Sequence, residues 1–110
     1  MTDQNVAEPA FKHTLRDPIP DGKGATITEI SFRKPRAGDI MRCGNPVKYM
    51  PYDDRQDVAF DEVKLVKMLA ALSDVLPPMI ERMDPNDFME CAWGIASFFI
   101  PGMRRDSATS

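Results

Sequence analysis

The residues that could carry chemistry are few and scattered. His13 is the single histidine and lies in Phe11-Lys12-His13-Thr14-Leu15, where apolar and polar residues alternate as in a strand. An imidazole can act as a base or a metal ligand, but no Ser, Asp or second His stands near it in a nucleophile context. The adjacent carboxylates Asp53-Asp54 could form an acid/base pair or hold a divalent cation. They follow Pro46 and Pro51, however, without the glycine-bearing pattern of a calcium loop. Gly22-Lys23-Gly24 is too short to cradle a phosphate and lacks a following Gly-Lys-Ser or Gly-Lys-Thr. Cys43 and Cys91 have no metal-type spacing and read as reduced thiols, and the methionines do not cluster as soft-metal ligands. These residues imply no active site, no cofactor and no bound metal.

The composition points the same way. The chain of 110 residues carries a net charge of −3 and is 43% hydrophobic and 28% charged, which suits one domain with a modest core. A pI near 5.1 lacks the basic excess of a nucleic-acid binder. The dense basic stretch Arg33-Lys34-Pro35-Arg36 lies near Asp39, and Arg104-Arg105 beside Asp106; both read as solvated charge. No apolar run approaches the roughly 20 residues of a membrane span, and nothing resembles a secretory signal. The eight methionines are unbranched, polarisable side chains that suit adaptable surfaces as well as core gaps.

The elements that would position these residues define an α+β fold: an N-terminal β-hairpin over 11–33, then a small helical part over 37–100 with two main helices and short ones beside them. Residues 1–9 read as a loose lead, 10–102 as one domain and 103–110 as a loose tail. Phe11–Leu15 and Ala25–Arg33 form the hairpin, with Thr26, Thr28, Ile30 and Phe32 on one side. Pro20–Gly24 is its mobile tip, where glycine supplies positive φ. Because an isolated hairpin is marginal in water, it must lie on the helices or pair with a second copy through its edges. Ala37–Arg42 reads as a helical turn ending near Gly44, and Asn45–Gln56 as a loop. A helix runs from about Val58 or Asp61 to Ser73 with Asp57 and Asp61 as candidate caps, and a short helix opens at Pro78 and reaches Met83.

The last helix organises the rest. Asp84-Pro85 is a strong opening, because the carboxylate accepts orphan N–H groups and proline occupies a position that needs none. Asp87 adds negative charge near the positive end of the helix dipole, and Pro101-Gly102 ends the segment. Phe88, Cys91, Ala92, Ile95, Ala96 and Phe99 recur at helical spacing, while Met89, Trp93 and Ile100 fall on adjoining faces. A helix apolar over most of its circumference needs cover on more than one side. A chain this short covers one such face easily and two with difficulty, so the surplus implies a partner.

Two passages resemble one family. Thr26 to Ile40, with Arg33-Lys34-Pro35-Arg36-Ala37-Gly38-Asp39 at its corner, is similar to the strand and corner of the tail assembly chaperones of Mu-like and related contractile-tailed phages. Met83-Asp84-Pro85-Asn86-Asp87 through Phe98-Phe99 resembles their C-terminal helix. The chain departs from the pattern over Asn45–Gln56 and at Cys91 and Trp93, where smaller or more aliphatic residues are usual. The resemblance implies a non-enzymatic factor of the host cytoplasm, absent from the mature virion, that binds the apolar tape measure protein and keeps it soluble while the tail tube protein assembles around it. Phe88, Trp93, Phe98 and Phe99, with Met68 and Leu72 on the preceding helix, are the candidate partner-binding residues, set for helix-in-groove recognition. The competing readings are a structural component retained in the tail and a small regulatory binding protein.

Overall fold

The β-branched run Thr26-Ile27-Thr28 and the glycines before it fold back on the preceding strand as a hairpin. The structure is a computed structural model and describes residues 9–49 and 58–100. Strand β1 (Phe11–Pro20) pairs antiparallel with β2 (Thr26–Phe32), with Phe11 opposite Phe32 and His13 opposite Ile30. Their rings at the open end stack with centroids 5.8 Å apart. The expected first strand ended at Leu15, but β1 continues through a bulge: between Thr14 and Ile19 the partner strand advances only from Glu29 to Ile27. Extra residues on one strand break the strict alternation: Ile27 packs on the core, while Thr26 and Thr28, expected on the side of Ile30 and Phe32, are exposed.

The tip is tied rather than loose. The Asp21 carboxylate accepts the backbone N–H groups of Lys23 (2.6 Å) and Ala25 (3.1 Å), and these two bonds hold its pKa below the ordinary carboxylate value. Gly22 and Gly24 take φ of 86° and 97°, where other residues would be strained.

Helix α1 (Ala37–Cys43) follows the corner, and Gly44 closes it by donating its N–H to the Ile40 carbonyl. The next segment corrects the expectation of a loop over Asn45–Gln56 in its first part; residues 50–56 and the candidate cap Asp57 lie outside the described residues. Val47–Tyr49 is strand β3, paired antiparallel with β4 (Val58–Phe60), so a second two-stranded sheet stands where no periodic signal pointed to one. Val58 accordingly belongs to a strand, and helix α2 spans Glu62–Ser73, with Asp61 accepting the Lys64 N–H at its start. Asp74 ends α2 in the left-handed conformation at φ 67°. The short helix α3 covers Pro77–Ile80, and Met83, within its expected span, lies beyond its end. Helix α4 spans Pro85–Ala96; Asp84 accepts the N–H groups of Asn86 and Asp87 as the Asp-Pro opening requires. Tight turns over 97–100 replace the last turn of the longer helix the sequence suggested, with Phe98 and Phe99 donating to the carbonyls of Ile95 and Ala96.

The hairpin lies on the helices. Leu15, Ile19, Ile30 and Phe32 pack with Leu65, Met68, Leu69 and Leu72 of α2 and with Cys91, Ala92 and Ile95 of α4. Each large side chain enclosed there contributes about 1.5–3 kcal/mol of transfer free energy. A smaller cluster, Val47, Ala96 and Ile100, lies beneath the second sheet with Val58, Phe60 and Phe99 at its margin. Gly94 lets β1 sit directly on α4, since a methyl at this position would overlap the Phe11 ring. The assignments for residues 1–8, for Asp53-Asp54, for the Pro101-Gly102 stop and for the 103–110 tail with Arg104–Asp106 lie outside the described residues.

Candidate partner-binding site

Helix α4 is held in place by a buried carboxylate. Asp87 has no exposed surface, and it faces the β1 bulge, where the backbone turns its N–H groups away from the partner strand. It accepts the Arg16 N–H on both oxygens (3.0 Å each), the Asp17 N–H (3.2 Å) and His13 Nε2 (2.9 Å). Burial by itself would raise the Asp87 pKa; the Arg16 N–H, the His13 ring and the Asp17 N–H outweigh it and leave the group below its ordinary value. A residue expected only to complement the helix dipole is therefore the main polar tie between α4 and the hairpin. The signal available in the sequence was an Asp three residues after the Asp84 cap, which cannot reveal a partner some 70 residues earlier. His13 is consumed by the same network. Nε2 donates to Asp87 and Nδ1 lies 3.4 Å from Glu90, which also pairs with Arg16 at 2.7 Å. Both ring nitrogens thus face carboxylates.

A second buried carboxylate organises the corner before α1, and it corrects the reading of that stretch as solvated charge for Arg33 alone, since Lys34 and Arg36 are exposed. Asp39 is 1% exposed and receives both arms of Arg33 (2.9 and 2.8 Å), Arg42 Nη2 (3.0 Å) and the Arg36 N–H (2.8 Å). The Arg33 fork, followed by the Arg36 and Arg42 contacts, holds the carboxyl far below the usual carboxylate range against the opposing effect of burial. Arg33 also donates to the Ala71 carbonyl, and its N–H to that of Leu72, so the corner caps the C-terminus of α2. Cys91, enclosed beneath α4, has its thiol pushed up to about 12 by burial and is inert as a nucleophile at neutral pH.

With those ties in place, α4 presents Met89 and Trp93, four residues apart, on its outer face at 40% and 48% exposure. The Trp93 ring meets Phe60 of β4 edge-on with centroids 5.1 Å apart. Of the six residues singled out from the sequence, Trp93 is exposed; Phe88, Phe98 and Phe99 are half-buried against the core; Met68 and Leu72 are enclosed within it. The structure thus joins Phe60 and Met89 to Trp93. Met89 was visible in the sequence as a residue off the main apolar stripe, whereas Phe60 required knowledge of the second sheet. Among the described residues, no group of three or more His, Cys, Asp and Glu side chains could hold a metal ion, and no helix is long and apolar enough to cross a membrane.

The chain is a small α+β domain with two large apolar side chains exposed on its last helix. Its sequence matches the family model described as "Phage tail assembly chaperone proteins, E, or 41 or 14" over residues 12–100, and the chain belongs to that family of phage tail assembly chaperones. The match spans the hairpin, both buried carboxylates and α4. No curated protein and no solved structure matches the chain. The role in tail assembly implies a protein partner, and chaperones of this family are generally non-catalytic.

Proposed function

We propose that this chaperone binds the tape measure protein in the host cytoplasm through the Trp93 face of α4, keeps it soluble while the tail tube forms, and is left out of the finished virion. The observation that carries the reading is the Met89–Trp93 pair, two large apolar side chains one turn apart and substantially exposed on a helix whose other faces are buried. Apolar side chains at this spacing match the stripe of a second helix, and the adaptable Met89 thioether beside a rigid Trp93 ring forms a recognition edge.

The test is co-expression of a cognate tape measure protein with the wild-type chain and with Met89→Ala/Trp93→Ala. Trp93 is only half enclosed, so removing its contact with Phe60 should cost under about 2 kcal/mol and leave the circular dichroism spectrum unchanged. The folded variant should lose the complex and the partner's solubility. Retention of both would refute the assignment of this face; detection of the chain in purified virions would favour a tail component.

A further inference from the structure

A separate surface, sharing no residue with the Trp93 face, is built differently. An open cleft of about 1330 Å3 lies between the Arg33–Asp39 corner and the C-terminal end of α2. It is continuous, through Arg42, Ala71 and Asp74, with a shallower groove of about 370 Å3 that runs to Val75, Leu76 and Pro77. The floor of the smaller groove is apolar and low, because Ala71 is half-buried and Ala70 is buried beneath it between α1 and the turn into α3, and Leu76 is left 56% exposed at its far end. Small residues on a helix surface let another helix approach closely.

The rim is cationic in a chain whose overall charge is −3. Lys34, Arg36 and Arg42 border the cleft, and Lys67 borders the groove beside Arg42. Among the described residues Lys34, Arg36 and Lys67 form no ion pair, and their side chains are exposed. The acids on the lining are Asp39, spent on Arg33 and Arg42, and Asp74. An apolar floor bordered by three unpaired cations against one exposed carboxylate, Asp74, complements an apolar stripe flanked by carboxylates.

We propose that this trough is a docking site for an acidic amphipathic helix of a protein partner, seated on Ala71 and Leu76 with its carboxylates toward Lys34, Arg36 and Lys67. It is independent of which partner covers Trp93. The charges set orientation and encounter rate, and the apolar contacts set residence time.

The experiment is fluorescence anisotropy of the full chain with a labelled helical peptide carrying leucines along one face and glutamates beside them. The same peptide with lysine in place of each glutamate and a single-stranded RNA serve as competing ligands. The acidic peptide should bind, weaken as salt is raised, and lose at least about tenfold in affinity to Lys34→Glu/Arg36→Glu/Lys67→Glu. Leu76→Gln, which alters a half-exposed side chain and no charge, should weaken it as well, while Trp93→Ala leaves it unchanged. The proposal is overturned if the acidic peptide does not bind, if the lysine peptide or the RNA binds as tightly, if neither trough variant weakens binding, or if Trp93→Ala abolishes it.

Discussion

Substitution of Asp87 tests the claim that one buried carboxylate fixes the angle between the hairpin and the last helix. In Asp87→Ala the Arg16 N–H, the Asp17 N–H and the His13 ring lose their common acceptor. A hydrogen bond to a charged group is worth about 1.5–3 kcal/mol, but three such bonds on one residue do not add, and the bulge can admit water to the two amides. The expected net cost is about 3–5 kcal/mol, because up to three part-buried donors are left without an acceptor. For a domain of this size that corresponds to a fall in Tm of about 12–25 °C and removes much of a stability of about 5–15 kcal/mol. Asp87→Asn keeps one accepting oxygen and turns an NH2 toward either the amides or the imidazole, so it should lie between wild type and alanine. Urea titration followed by circular dichroism measures both. An alanine variant within about 1 kcal/mol of wild type, with an unchanged m value, would show that apolar packing alone positions α4 and refute the reasoning.

Two further outcomes follow from the same structure. Asp39 and Asp87 have folded-state pKa values below the ordinary 3.8, so each contributes stability that is complete above that value and is lost as pH falls through the folded-state pKa. Stability should therefore be flat with respect to these groups from neutrality to about pH 5 and then fall, and Asp39→Asn or Asp87→Asn should each flatten the acid limb measured by urea titration at a series of pH values. Gly94→Ala, normally a gain of about 1 kcal/mol inside a helix, should instead destabilise by about 1–3 kcal/mol, because the new methyl would overlap the Phe11 ring. In a Phe11→Ala background the same change should become neutral or favourable, and thermal melts of the four proteins in that cycle decide it.

Much of the fold was legible because its signals are local. The Asp84-Pro85 opening, the Asp61 cap, the end of α1 at Gly44 and the strand leading to Phe32 each depend on residues within a turn of one another, and all stand where the sequence placed them. The surplus of apolar surface on the last helix was also legible from spacing, and part of it remains outside as Met89 and Trp93. The second sheet was not legible, since three-residue strands are too short to show a period and Val47 finds Phe60 only through the tertiary fold. Nor could spacing show which apolar residues would be enclosed: Met68 and Leu72 sit on the face of α2 that the hairpin covers.

By itself, the sequence determined which segments become helix or hairpin and that one helix would carry more apolar surface than its neighbours could hide, because capping, turn chemistry and periodicity act over a few residues. Only the tertiary structure decided what the charged residues do. Asp87 reaches a bulge in β1, and Asp39 gathers Arg33 and Arg42 at a corner, so carboxylates that look solvated in the linear chain become buried ties. The physical reason is that burying a charge costs several kcal/mol unless donors converge on it, and that convergence exists only after distant segments have packed.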